Sequence, residues 1–456
     1  MPRLPERVAQ RVVTDPDVRR SYALDATVAL APPPIDFDVV RARDVGDVVA
    51  VLEHAQATGT PVVPQGARTS RAGGATASDG CIVLNVEALD VISDVNPLEG
   101  YAVVGPGVVN ADLKRAAAEA GLFYGPDPAS WETCTIGGNV ATNAGGLCCV
   151  KYGVTADWVK ALQVVLPGGE VMRTGHRTAK GVAGYDLTGL FVGSEGTLGV
   201  VTEAVVRLEP APDPALTALA VFDSLDAAVA GIVALRLDRH RPCLLEIIDR
   251  TSVRAIQAFG DFGFPDDCAA VLLVQSDRPG HVADDLGRYA ALLDSAGATD
   301  VAVADDAQES EALLAGRRVM STAFEAMGGR LAEDVCVPIG RLAEFVRGIE
   351  AISERWSVLV PVSGHAGDGN LHPSIVYAQD DPASLARAWE AFDDVIRLGL
   401  SLGGTITGEH GIGSVKVPWL GLELGAAELA RQRRLKAVFD PAGIMNPGKV
   451  FSAPAS

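Results

Sequence analysis

The spacing of apolar positions predicts alternating short strands and amphipathic helices over most of the chain. Phe37–Ala42 alternates as a strand. Asp44 then caps a helix with Val45, Val48, Val49, Leu52 and Ala55 on one face, and Gly59 ends it. Further strands are predicted at Pro61–Pro64, Cys81–Val86 and Tyr101–Val104, with a helix capped by Asn110 that stops at Gly121. Leu162–Leu166 and Val171–Thr174 flank Pro167-Gly-Gly-Glu170, which reads as a hairpin turn, and Val200–Leu208 closes the region.

Glu209–Pro214 carries three prolines in six residues and reads as a linker. Beyond it the pattern resumes, with strands at Ala218–Phe222, Leu244–Ile248, Ala270–Val274 and Asp334–Val337. Helices are expected over Leu225–Leu237 and about 281–296, 308–327, 340–355 and 384–402. Val358–Val362 and Leu371–Tyr377 read as strands joined through Gly367-Asp-Gly-Asn370, which is turn chemistry. Helices on one face of such strands make an α+β domain. From Gly408 helical segments run to Phe439, and the Pro441–Pro447 turn is expected to return the tail to the first domain. The expected organisation is a Pro-rich lead-in over 1–36, ending in Ala31-Pro-Pro-Pro34, a first domain over 37–210, a second over 211–407 and a C-terminal segment over 408–456.

Composition adds exclusions. The 456 residues are 48% hydrophobic and 21% charged, ordinary for a soluble globular chain. A net charge of −20 argues against a nucleic-acid or anionic-membrane surface. The N-terminus has no apolar core of a signal peptide and no apolar run approaches a membrane span, so a cytoplasmic location is expected. Seven cysteines without C-x-x-C spacing offer neither a disulfide framework nor an iron–sulfur site.

Four segments carry candidate chemistry. Gly66-Ala-Arg-Thr-Ser70 directly follows a strand, and its amides with the Thr69 and Ser70 hydroxyls could cradle phosphate. No helix begins after it, so it is not the dinucleotide fingerprint. Pro126–Ser130 with Thr133–Asn139 is too small and polar for core and suits the wall of a large polar ligand. Gly193-Ser-Glu-Gly-Thr-Leu-Gly199 is a further glycine-rich cluster. Finally, His365-Ala-Gly-Asp-Gly-Asn-Leu-His372 and Gly408-Glu-His-Gly411 hold three of the seven histidines. A hairpin would set His365 and His372 side by side, and two imidazoles with a carboxylate hold Zn²⁺, Fe²⁺ or Mn²⁺ for catalysis. The other reading is two polar hairpin residues and an unrelated capping Glu.

Taken in order, Pro61–Gly66, Thr135–Asn139, Gly184–Leu187, Gly193–Gly199, Gly364–His372, Gly408–Gly413 and Phe439–Lys449 resemble one family. It is the flavin-linked D-2-hydroxy acid dehydrogenases, which include D-lactate dehydrogenase, the flavin subunit of glycolate oxidase and D-2-hydroxyglutarate dehydrogenase. The resemblance spans about residues 35–451. It implies a vanillyl-alcohol-oxidase-type (PCMH) FAD-binding domain, an α+β substrate cap domain with a divalent metal, and a C-terminal segment rejoining the flavin. By residue it implies that Gly66, Ala67, Arg68, Thr69 and Ser70 hold the FAD pyrophosphate. Pro126, Asp127, Thr133, Gly137, Gly138, Asn139 and Val201 would line the cofactor, with Asn446 near the flavin. His365, His372 and Glu409 would be metal ligands, His410 the base and Arg317 the partner of the substrate carboxylate.

The implied reaction oxidises a small D-2-hydroxy acid to the 2-oxo acid. Hydride goes to noncovalent FAD and electrons to a non-NAD acceptor such as a quinone, a cytochrome or an electron-transfer flavoprotein. Whether the chain acts as a homodimer or as a subunit of a complex stays open. Two departures matter. Relatives carry Gly where Arg68 stands. D-2-hydroxyglutarate enzymes carry a lysine where Ala332 stands, so a monocarboxylate such as D-lactate or glycolate is expected. A metal-dependent hydrolase would leave the glycine-rich first domain unemployed, a sugar or lactone oxidase would not need the histidines, and a non-catalytic flavin subunit would not need His410.

Overall fold

A computed structural model of the chain describes residues 4–27, 33–265 and 267–452. Ala31 and Pro32 of the proline run lie outside the described residues. The chain divides into two compact units: Met1–Gly145, Val154–Ala211 and Glu409–Ser456 form one, Gly146–Gly153 and Pro212–Gly408 the other.

In the first unit, strands Asp38–Arg41, Ile82–Asn85 and Val62–Gln65 form a parallel sheet with Ile82–Asn85 central. Parallel strands need crossovers, and the helix Val45–Thr58 supplies one. Asp44 caps it by accepting from the Asp47 amide at 2.9 Å, and Gly59 ends it at φ +69°. Val48, Val51, Leu52 and Ala55 bury one helix face against Val40, Ile82 and Leu84, each large side chain contributing about 1.5–3 kcal/mol. A second sheet is antiparallel, in the order Ile92–Asn96, Tyr101–Val104, Val200–Arg207, Val159–Val165, Val171–Gly175. The turn between its last two strands places Gly168 and Gly169 at φ +89°, which explains the paired glycines.

The N-terminal residues are more than a lead-in. Val12 bridges to Val40, Arg7 and Arg11 pair with the buried Asp47, and Asp25 accepts from Ala75 N and Thr76 Oγ1. Asn110 does not cap its helix. Val109 holds that position, and the buried Asn110 donates through Nδ2 to Pro126 O at 3.2 Å. In the tail, Ile444 O accepts from Val62 N at 2.8 Å and Asn446 N donates to Val62 O at 2.8 Å.

The second unit is built on a seven-stranded antiparallel sheet. Its order is Asp300–Val303, Leu216–Phe222, Ala270–Ser276, Leu244–Asp249, Ser363–His365, Asn370–Leu371, Val335–Cys336. Ala270–Ser276 and Leu244–Asp249 are buried at every position, because helices cover both faces rather than the one expected. Arg250–Phe259 and Ala307–Ala326 pack on the face of Leu219, Val221, Val271 and Leu273. Val282–Ser295 and Leu225–Leu237 pack against the same central strands with Leu286, Tyr289 and Ile232 fully buried. The excursion Gly146–Gly153 joins this unit through Lys151 and Tyr152, both bonded to Asp277.

Candidate functional site

In the second unit the histidine pair is made by a hairpin tighter than the apolar pattern suggested. The paired strands are Ser363–His365 and Asn370–Leu371, not Val358–Val362, which forms no strand and meets its neighbours through the Leu359–Val376 bridge and hydrogen bonds of Pro361 and Val362. Residue types dictate the tightness. A Cβ on Gly364, at φ +153°, would lie 2.5 Å from Asn370 O, and one on Gly369, at φ +80°, 2.1 Å from Val337 O. His365 and His372 consequently face each other with Nε2 atoms 3.2 Å apart and rings edge-on at 5.0 Å.

One carboxylate orients the His365 ring, and a second lies near His372. Glu246 rises from the central strand Leu244–Asp249 and is fully buried. Its Oε1 lies 2.6 Å from His365 Nδ1 and its Oε2 accepts from Arg317 Nε at 2.8 Å. Burial works to raise the Glu246 carboxyl, but His365 and Arg317 more than offset it and hold it down to about 2. Asp334 Oδ1 stands 3.7 Å from His372 Nδ1. Its Oδ2 accepts from Thr407 Oγ1 at 2.7 Å and Gly408 N at 2.9 Å. It thereby fixes Thr407 and Gly408, the last residues of this unit.

This donor chemistry fits a divalent cation. A carboxylate only accepts, so His365 carries its proton on Nδ1 and turns the Nε2 lone pair toward His372. Arg317 sits on the helix Ala307–Ala326, about four-fifths enclosed, with its Nε engaged by Glu246. Its neighbour Arg318 points to Glu311 instead. Ala332 ends the strand Gly329–Ala332, and Arg330 on the same strand face reaches Ser321 Oγ at 3.5 Å and Glu325 at 3.6 Å.

In the first unit the loop Gly66–Ser70 leaves the strand Val62–Gln65. Among the described residues, the amides of Ala67, Arg68, Thr69 and Ser70 donate no hydrogen bond to the protein. A Cβ on Gly66 would lie 2.3 Å from Thr135 Oγ1. Arg68 holds φ +59°, the left-handed conformation that Gly adopts freely. Thr135 caps the helix Ile136–Thr142 by accepting from Gly138 N, which brings Gly137, Gly138 and Asn139 into its first turn. Pro126 and Asp127 precede it in the loop that Asn110 anchors, Thr133 is exposed with its hydroxyl on Ser130 O, and Val201 lies on Val200–Arg207. Asn446, at φ +44°, donates from Nδ2 to Gly74 O at 2.9 Å and Glu195 O at 2.7 Å. Its buried Oδ1 has no hydrogen-bond partner in the protein, and Gln65 Oε1, Asn110 Oδ1 and the Tyr124 hydroxyl are in the same position. Free amides and orphaned polar atoms are what a large polar cofactor satisfies.

Glu195 ties this unit together. Its carboxylate is buried, its backbone sits at φ +51°, and it accepts from Ile412 N at 2.8 Å and Gly413 N at 2.7 Å. Burial pushes its pKa up to about 7, against the pull of those two amides and of Lys449. Lys449 in turn is lowered by burial. Sequence reasoning missed Glu195 and Glu246 as partners. A lone carboxylate inside Leu-Leu-Glu-Ile-Ile was the available signal for Glu246, because such a position is seldom charged without a partner.

Comparison with known proteins agrees with this layout. Residues 38–175 match the FAD binding domain model, and residues 211–450 match FAD linked oxidases, C-terminal domain. The glycolate oxidase subunit GlcD of Bacillus subtilis is 38% identical, over 96% of this chain and 93% of its own. A D-lactate dehydrogenase of Anaerostipes hadrus is 33% identical over 98% and 95%. A D-2-hydroxyglutarate dehydrogenase of Stutzerimonas stutzeri is 32% identical over 97% and 96%. Crystalline p-cresol methylhydroxylase superposes with a TM-score of 0.79 at 17% identity, covering 97% of this chain and 94% of that one. The likeness extends the PCMH-type architecture to this chain.

Proposed function

This chain belongs to the FAD-linked oxidases, and on that premise we propose that it oxidises a small D-2-hydroxy acid to the 2-oxo acid with the help of a divalent metal. The FAD-linked oxidation of D-2-hydroxy acids is the activity its relatives' names carry. The observation that carries the metal is the His365–His372 pair, two facing imidazoles, with His365 oriented from behind by Glu246 and Asp334 standing 3.7 Å from His372 Nδ1.

Bound FAD supplies the two-electron acceptor, and a bound divalent ion lowers the pKa of the coordinated hydroxyl. The chain's own residues do the rest. His365 and His372, with Glu409, hold the ion. Arg317 presents its planar fork to the substrate carboxylate, a bidentate pairing that fixes orientation as well as charge. His410 takes the hydroxyl proton, general-base work that an imidazole suits near neutral pH. The free amides of Ala67–Ser70 receive the pyrophosphate and Asn446 Oδ1 faces the cofactor, with Pro126, Asp127, Thr133, Gly137, Gly138, Asn139 and Val201 along its length. Among the described residues no helix is long and apolar enough to cross a membrane, and a quinone, a cytochrome or an electron-transfer flavoprotein serves as acceptor.

Ala332 offers no cation to a distal carboxylate, which favours D-lactate or glycolate. An unpaired buried carboxylate costs several kcal/mol, worth orders of magnitude at ~1.4 kcal/mol per tenfold. One observation favours D-2-hydroxyglutarate instead: Arg330 shares the strand face of Ala332 and is largely buried. The test is kcat/KM for D-lactate, glycolate and D-2-hydroxyglutarate with a dye acceptor, alongside flavin and metal content. Preference for the dicarboxylate selects the second reading, and no turnover of any of the three refutes both.

A further inference from the structure

We propose that Glu246 is a positioning residue that sets the aim of His365 and the pose of Arg317 together, so that metal binding and substrate-carboxylate binding are coupled through one side chain. The inference rests on the metal and arginine roles proposed above and assigns a residue that neither requires.

The geometry leaves Glu246 little freedom. It stands in the central strand of the sheet, opposite Leu273, between Leu245 and Ile247, all of them buried. Each of its oxygens has a different client: Oε1 meets His365 Nδ1 at 2.6 Å and Oε2 meets Arg317 Nε at 2.8 Å. The hydrogen bond to Nδ1 selects the tautomer whose Nε2 offers a lone pair rather than a proton, and raises its basicity. The bond to Nε occupies the side-on face of the guanidinium and leaves the end-on pair of terminal nitrogens for substrate. His365 is held by a hairpin and Arg317 by a helix, elements 48 positions apart in sequence. Glu246 is bonded to both. A shift of its carboxylate toward either client loosens the other, and linkage makes such coupling reciprocal.

A carboxylate that only stabilised the fold would affect thermal stability and leave the two binding constants alone. The experiment uses the flavin-loaded protein, stripped of metal by chelator and titrated with Zn²⁺ against a chromophoric chelator, with KM for the preferred 2-hydroxy acid measured on the reloaded enzyme. Glu246→Gln keeps the shape but turns an amide toward Arg317. It is expected to weaken Zn²⁺ binding by about 10- to 100-fold and to raise KM at least about fivefold. Arg317→Met should raise KM and also shift Zn²⁺ affinity by more than about threefold, because Glu246 released from one client moves at the other.

Zn²⁺ affinity and KM both unchanged in Glu246→Gln would overturn the proposal. If that variant loses its flavin or does not fold, nitrogen-15 histidine spectra of the unaltered Zn²⁺-loaded protein decide, assigned by the signal lost in His365→Gln. A His365 ring protonated at Nδ1 and hydrogen-bonded there supports the proposal, and one protonated at Nε2 overturns it. Unaltered protein that takes up no Zn²⁺ overturns the metal reading and the coupling with it. Unaltered protein that binds Zn²⁺ no more tightly than Glu246→Gln overturns the role of Glu246 alone.

Discussion

The guanidinium carbon of Arg68 lies 4.4 Å from the centroid of the Tyr22 ring, and its Nη1 reaches Glu87 at 3.3 Å. This accounts for a large cation in a loop position where the family resemblance implies Gly. The side chain is held by protein groups, while the backbone keeps the left-handed conformation at a cost of about 1–2 kcal/mol. Arg68→Ala loses the stacking and keeps the strain, so a loss of ~1–2 kcal/mol is expected. Arg68→Gly loses the stacking and relieves the strain, and should fall within ~1 kcal/mol of the parent in denaturant unfolding. Both should hold FAD within about tenfold of the parent affinity. A larger drop would mean that the guanidinium touches phosphate.

Noncovalent FAD is the second expectation. The Gly66–Gly74 loop contains no His or Cys. Cys134, near the other cofactor motifs, is a buried thiol whose pKa burial pushes up, which disfavours the reactive thiolate. Acid precipitation should release all yellow colour to the supernatant, and colour kept in the pellet would contradict this.

Loss of any one ligand from an open three-ligand site removes most of its affinity. His365→Ala, His372→Ala and Glu409→Ala should therefore bind no metal at micromolar concentration and lose turnover by about 100-fold or more. They should retain full flavin absorbance, because the FAD residues lie in other segments of the chain. Chelator-treated protein that kept full activity would remove the metal from the mechanism.

Glu195 makes a pH prediction with a definite sign. Its ordinary carboxyl value is 4.5, and the folded value is pushed up to about 7 by burial. The folded state therefore holds a proton that the unfolded chain has released. The stabilising contribution is complete below pH 4.5 and declines until the pH has passed about 7, a total of ~3 kcal/mol at ~1.4 kcal/mol per unit. Glu195→Gln lacks this decline. Relative to the parent its stability should improve by roughly that amount between pH 5 and pH 8, measured by denaturant midpoints. Parallel curves would show that Glu195 is ionised throughout.

Much of this was readable from residues alone, for identifiable reasons. Helix Val45–Thr58 has a side-chain cap, a periodic face and a terminal Gly, all local signals, and it forms where expected. His365 and His372 meet because seven residues and two obligatory glycines leave the hairpin one geometry. The helix Ile136–Thr142 escaped notice because Gly137 and Gly138 are poor helix formers, and its cap and tertiary packing override them. Asn110 looked like a cap, yet its side chain serves a loop sixteen residues on. Glu246 and Glu195 could not be placed because their partners lie 71 to 218 positions away. Pairings of that range are properties of the sheet order and carry no local signature.

The return of the tail, with Ile444 and Asn446 bonded to Val62, gives the chain an order of birth. Every segment of the second unit has been translated by Gly408, whereas the first unit, begun earlier, still lacks residues 409–456. On the ribosome, where domains fold as they emerge, the inserted unit can reach its final form while the first waits with the edge of Val62–Gln65 unfilled. The part of the protein that starts first is therefore the last to be finished.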